Sequence, residues 1–303
     1  MRMKPLVSFS LAALVAVLGA PAVKAQQATL TVNEIVTKNI AARGGSDAWR
    51  AVQTISMSGK MQAGGNNRPT LPMTGPHVPQ HLTPKRPLEQ VELPFVMDLK
   101  RNRKQRIEVQ FNGQTSIQVY DGANGWLLRP YLNRTDYEPF NDDQLKAASE
   151  QSDLDGPLFD YAAKGTKIAL AGTEKVEDRD TYKLAVTLKN GYSFHLWIDA
   201  KTFLEAKMEG TPRRLDGKER PVEIYYRDFR RVGNLVIPYA LETRVLSSMT
   251  IPGHAGPQWI SEMISIDKVQ VNPKLEESLF TRPAAEVASS LAPQGAADGR
   301  KVQ

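Results

Sequence analysis

Residues 182–199 read "YKLAVTLKNGYSFHLWID", and their period of two limits the fold more than any other feature of the chain. Tyr182, Leu184, Val186 and Leu188 alternate with Lys183, Ala185 and Thr187, and after Asn190-Gly191 the pattern resumes at Phe194, Leu196 and Ile198. Successive side chains of a strand point to opposite faces, so this spacing makes one apolar face and does not fit a helix. Asn-Gly between two such runs is a strong hairpin signal. Ile107, Val109 and Phe111 alternate in the same way with Glu108 and Gln110. So do Leu235, Ile237, Tyr239, Leu241, Thr243 and Val245 with their neighbours, and "AVQTISMSGKM" at 51–61 reads as another strand. Clean alternation belongs to antiparallel sheets with one apolar face. The short turns "NG", "DAKT" and "GN" make the order mostly a meander, and roughly ten or eleven strands in one such sheet must curl.

Little helix is available to cover that face. "TVNEIVTKNIAAR" at 31–43 places Val32, Ile35, Val36 and Ile40 at helical spacing, and Gly44-Gly45 ends it. A second helix is expected within 140–164, "FNDDQLKAASEQSDLDGPLFDYAAK". The fold class expected is therefore mainly β (α+β), a curved and incompletely closed antiparallel β-barrel with a few helices as a lid. Pro238 stands in the middle of one predicted strand. Proline cannot donate to a ladder, so it is expected where the ladder is broken, at an edge or a bulge, on the side of its strand opposite Ile237 and Tyr239.

Other segments set the boundaries. Residues 1–25 combine Arg2 and Lys4, an apolar run from Leu6 to Ala20, and Val23 and Ala25 at the −3 and −1 places of a signal-peptidase site. A cleaved signal peptide, export to the periplasm and a mature start at Gln26 are expected, since the run is short for a membrane span. A single domain is expected over 26–283. Prolines 69, 72, 76, 79, 84, 87 and 94 mark 62–94 as a long loop or insertion within it, and 284–303 reads as a disordered tail. The chain has no cysteine, which excludes disulfides, thiolate metal sites, a cysteine nucleophile and a lipidated N-terminal cysteine. Its net charge is +6, but Arg2, Lys4 and Lys24 fall in the expected signal peptide, so the mature balance is mild and does not point to nucleic acid.

The residues offer no catalytic constellation. His77 and His81 are separated by Pro79, which rules out a helical zinc pair. His195 alternates between Phe194 and Leu196 as a sheet histidine, and there is no Gly-x-Ser-x-Gly elbow. "NDDQ" and "SDLD" read as helix caps rather than calcium loops, and "GGNN" and "GANG" lack the lysine of a phosphate loop. No cofactor and no metal is expected. The cluster Lys100, Arg101, Arg103, Lys104 and Arg106 meets anionic lipid headgroups or an acidic partner, or else is a solvated hairpin. Trp126, Tyr131 and Phe140 line a ligand cavity or pack beneath the lid.

Four stretches together resemble a known family. "YDGANGWLLRP" carries Asp121, Gly122, Trp126 and Pro130; "WIDAKTFLEAKMEG" carries the hairpin Asp199–Thr202; "YRDFRRVGNLVIP" carries a strand, a turn and Pro238; "VQVNPKLEESLFTRP" carries a closing strand and Phe280. In this order, over residues 30–283, the chain resembles the LolA/LolB superfamily of periplasmic lipoprotein carriers and receptors, in the branch of outer-membrane lipoprotein-sorting proteins. The resemblance implies a half-barrel whose apolar face, under a helical lid, holds acyl chains. The expected function is a non-enzymatic, monomeric carrier or binding protein for lipid or lipoprotein acyl chains. Trp126, Leu184, Val186, Phe194, Leu196, Leu235, Ile237 and Tyr239 are the expected cavity residues, and Arg101, Arg103, Lys104 and Arg106 the expected headgroup or partner contacts. Moving a sixteen-carbon chain from water to such a cavity is worth roughly 12 kcal/mol, at about 0.8 per methylene, and needs no catalytic group. The alternative is an envelope-stress regulatory or scaffolding domain that contacts a membrane protein partner.

Overall fold

The alternating segments all form strands in the computed structural model, which describes residues 30–64, 90–215, 218–246 and 259–282. The expected signal peptide, the 65–89 part of the Pro-rich insertion, the tail at 284–303, His77, His81 and His254 lie outside the described residues. The first run of strands is β1 (Thr54–Gly64), β2 (Gln90–Lys100), β3 (Lys104–Phe111), β4 (Gln114–Tyr120), β5 (Gly125–Arg129) and β6 (Arg134–Pro139). The second is β7 (Lys167–Val176), β8 (Arg179–Thr187), β9 (Ser193–Asp199), β10 (Glu205–Leu215), β11 (Lys218–Val232), β12 (Leu235–Leu246) and β13 (Trp259–Val271). They make one open, curved 13-stranded antiparallel sheet in the order β6-β5-β4-β3-β2-β1-β13-β12-β11-β10-β9-β8-β7. The count exceeds the ten or eleven expected. β5 is buried on both faces and β6 is mostly exposed, so neither shows a clean alternation.

The topology explains the lid. Each run is a meander, and the first strand pairs with the last, Ile55 opposite Val271. The two free edges are therefore β6 and β7, and the chain between them, residues 140–166, must cross from one edge to the other. That crossing carries α3 (Asp142–Gln151) and then Leu154, Leu158 and Phe159, all buried. Its start is set by a capping box in which Asn141 and Gln144 each accept from the other's backbone N–H, at 2.9 Å. Thr31 and Glu34 make the same box at the start of α1 (Val32–Ala42). A further helix, α2 (Ser46–Arg50), is too short to show a period, and the sequence reading missed it.

The lid and the helices lie on the inner face of the sheet. Trp49 of α2 and Leu154 and Phe159 of the lid pack onto Ile55, Phe95, Leu99, Leu235, Ile237, Ile266 and Val269. The corner between α1 and α2 is tied to β12. The Arg43 carbonyl accepts from the Val236 amide at 3.0 Å and from the Trp49 indole at 3.1 Å. At Gly44, φ is +117° and an added Cβ would sit 2.1 Å from the Asn234 carbonyl, so the approach needs glycine.

This corner accounts for Pro238. β12 pairs with β13 only from Ala240 onward, although it pairs with β11 from Leu235. Amides two residues apart on a strand point the same way. The Val236 amide is turned toward Arg43, away from β11, so the missing amide of Pro238 falls in the gap between β12 and β13. The ladder is broken there as expected, but inside the sheet rather than at its edge.

Both ends of the expected insertion at 62–94 are paired strand, a correction to those parts of it. Met61, Gln62, Ala63 and Gly64 pair with Leu93, Glu92, Val91 and Gln90, and Pro94 stands opposite Lys60. Charged and polar side chains hide this pairing: Lys60 Nζ meets Glu92 at 3.0 Å and Gln90 meets Gln62 at 2.9 Å.

Candidate functional site

A cavity of about 1270 Å³ opens on the inner face between the lid and β9–β11. Its floor is period-two sequence on three neighbouring strands. Phe194 and Leu196 come from β9, Met208 and Gly210 from β10, and Val222, Ile224 and Tyr226 from β11. Register puts them on one face, because Leu196 pairs with Met208, and Met208 with Ile224. Gly210 lets the floor side chains pack close over β10: an added Cβ would lie 2.7 Å from a Val222 methyl.

One end of the floor is polar. The Glu205 carboxylate lies 3.6 Å from Arg43 Nε, with 11% and 14% of the two side chains exposed. Arg43 also donates to the Asp155 carbonyl of the lid at 2.8 Å and stacks 4.3 Å from the Trp49 ring. Tyr226 donates to Met208 Sδ at 2.7 Å. Burial first, and the nearby Glu205 carboxylate second, push its hydroxyl up from the ordinary phenol range. This end is an electrostatic clasp between helix corner, lid and sheet, with no nucleophile beside a base.

The expected cavity residues fall into three places. Phe194 and Leu196 line the cavity. Leu184 and Val186 share that face, opposite Leu196 and Phe194, but are fully buried by packing. Leu235 and Ile237 belong to the core under α2, and Tyr239 packs against it with the Arg230 guanidinium 4.5 Å from its ring. Trp126 is a correction. It pairs with Val119 and joins Ile117 and Leu128 on the outer face, so it cannot reach the cavity. Met208, Val222, Ile224 and Tyr226 were not singled out, although "EAKMEG" and "VEIYY" carry the same alternation.

The basic cluster is the expected hairpin, with Asn102 and Arg103 in the left-handed region at φ 67° and 60°. Most of its charges are engaged. Lys100 and Lys104 both reach Glu277 at 2.6 Å, and their hydrogen bonds hold its carboxyl down at about 2. Arg101 pairs with Asp155 and donates to the carbonyls of Trp49 and Val52 at 2.6 and 2.7 Å. Arg106 meets Glu108 at 2.7 Å and the Leu279 carbonyl at 3.4 Å. Arg103 differs. It lines the cavity and, among the described residues, donates to the Ser149 carbonyl alone, at 2.6 Å, near the end of α3. His195 Nδ1 lies 2.9 Å from Glu209, on the face opposite Leu196. Among the described residues, no group of three or more His, Cys, Asp or Glu side chains is placed to hold a metal.

Compared with solved structures, the chain is similar to a LolA superfamily protein from Nitrosomonas europaea. The TM-score is 0.52 at 12% identity, over 84% of this chain and 98% of that one. The fold is LolA-like. A DUF1329 family protein from Desulfovibrio piger is similar too, with TM-score 0.50 and 13% identity over 87% of this chain and all of that one, 100%. No family model matches the chain, and no curated protein does. At these identities the likeness is one of fold, and the LolA-like sheet here is filled on one half of its inner face and open on the other.

Proposed function

We propose that this chain is a non-enzymatic periplasmic protein that holds lipid or lipoprotein acyl chains in the cavity under its lid, with a place in outer-membrane lipoprotein sorting. The observation that carries the reading is the open volume of about 1270 Å³ over an apolar floor. That is above the usual small-molecule range of roughly 300–1,000 Å³, and apolar cavities take apolar ligands. The polar end at Arg43 and Glu205 joins lid to sheet and contains no arrangement for bond making. A carrier also agrees with the expected signal peptide.

The test is native mass spectrometry of the exported protein, followed by titration with a fluorescent fatty acid. Copurified lipid and saturable binding near one-to-one are expected. Leu196→Asp and Ile224→Asp, which each set a charge on the floor, should abolish binding in folded protein. Failure of the wild type to bind any acyl probe would reject the carrier and leave the scaffolding domain, which the filled half of the inner face would serve without a ligand.

A further inference from the structure

We infer that the mouth of the cavity recognises an anionic head, so that the ligand is an acyl chain carrying a carboxylate or a phosphate. The inference rests on the carrier reading and adds the chemistry of the headgroup. It comes from the charges that line the cavity. Arg43, Arg103, Lys164, Lys189 and Arg213 are its cations. Three already have carboxylates: Arg43 has Glu205, Lys164 has Asp153 at 2.7 Å, and Arg213 has Glu262 at 2.7 Å. Arg103 and Lys189 have no carboxylate among the described residues, and both are exposed.

The two come from different hairpins that meet the same helix. Arg103, on the β2–β3 turn, donates to the Ser149 carbonyl of α3 at 2.6 Å. Next to Lys189, on the β8–β9 turn, Asn190 donates to Glu150 of α3 at 3.0 Å, and Lys146 of α3 lies 5.2 Å from the Tyr192 ring. α3 therefore bridges the hairpins and keeps both cations at one mouth. Glu150 is the one opposing acid without a basic partner there, and its Oε1 is already taken by Asn190. Arg103 uses one donor on Ser149 and keeps the rest of its fork for a ligand oxygen, the geometry that suits carboxylate and phosphate. An amphiphile with its chain over Phe194, Leu196 and Ile224 places its head at this mouth.

The experiment compares a fluorescent fatty acid with its neutral methyl ester on the full mature chain. The variants are Lys189→Gln, Arg103→Gln and the pair together, with Lys201→Gln as an exposed control away from the cavity. Wild type should bind the acid at least tenfold more tightly than the ester. The double variant should lose that preference while its ester affinity stays, and added salt should weaken the acid only. Lys189→Gln alone covers the case in which loss of the Arg103–Ser149 contact loosens α3. Lysophosphatidate competing with the fatty acid separates a phosphate head from a carboxylate, and either result fits. Equal binding of acid and ester, or variants that keep the preference, would overturn the inference and leave the carrier standing. If neither acid nor ester binds, the carrier reading itself fails.

Discussion

The two halves of the sheet are built alike in sequence and differ in what stabilises them. Over β1, β2 and the start of β12, the inner face is filled by Trp49, Leu154 and Phe159. On the outer face of that half, Ile117, Val119 and Leu128 cluster, and the turn Glu277–Phe280 that follows β13 packs on β3 and β4 with Phe280 fully buried. Over β9–β11 the inner face carries the cavity instead, and the outer face carries charge. Arg227 and Arg244 each reach both Glu177 and Glu242. Lys207 reaches Glu223 at 3.0 Å and lies 4.0 Å from the Trp197 ring, and Tyr225 has the Arg244 guanidinium 4.1 Å from its ring. A strand bordering an open cavity lacks partners on that side. Here an ion and cation–π lattice on the other side ties β8–β13 together, so that the wall of the open cavity is supported from its outer face.

The largest expected difference is in core truncation. Trp49→Ala in the filled half should cost roughly 3–5 kcal/mol, whereas Ile224→Ala, whose side chain borders open volume, should cost less than half of that. Urea unfolding of both variants checks this, and equal losses would mean that the open half is packed in solution. Acid should act on the open half through its lattice. Burial alone would raise the Glu242 carboxyl, but hydrogen bonds from Arg244, Ser261 and Arg227 outweigh it and hold the group at about 2, against an ordinary 4.5. A depressed carboxyl stabilises the fold fully above pH 4.5, and that contribution is lost as the pH falls toward 2. Discounted for the partly solvated arginines, it is on the order of 2 kcal/mol. Glu242→Gln should flatten the stability curve in this window, and amide exchange at low pH should quicken first in β10–β12. An acid profile unchanged in Glu242→Gln would show that the lattice does not support the wall. The smallest effect is at the seam between the halves. Pro238→Ala should cost only about 0.4–1 kcal/mol, by the added freedom of the unfolded chain. A stabilised variant would show that the new amide finds an acceptor and that the gap beside β12 can close.

Much of the sheet was legible because alternation is local. The hairpins at Asn190-Gly191 and Gly233-Asn234, and the inward set Leu184, Val186, Phe194, Leu196, Leu235, Ile237 and Tyr239, follow from the period and the register. β5 and β6 were not legible, since one is buried on both faces and the other on neither. Trp126 was assigned to the wrong face because nothing local says which side of so short a strand points inward. The candidate site was legible in part. Inwardness is a property of a strand, but whether an inward residue meets a lid or a void depends on where residues 140–166 cross.

By itself, then, the sequence determined most of the strands, the hairpins that join them and the apolar side of most of them, because each is encoded within ten residues or so by side-chain period and turn chemistry. It also determined that a proline in β12 required a broken ladder. Only the tertiary structure decided that β1 would close on β13, that the free edges would be β6 and β7, and that Arg43 would turn its carbonyl to Val236. The same holds for the difference between the buried Ile237 and the cavity-lining Leu196, two apolar residues on one face. Each of these depends on contacts between segments far apart in the chain, and the closure entropy and packing that choose among such contacts leave no trace in any single stretch.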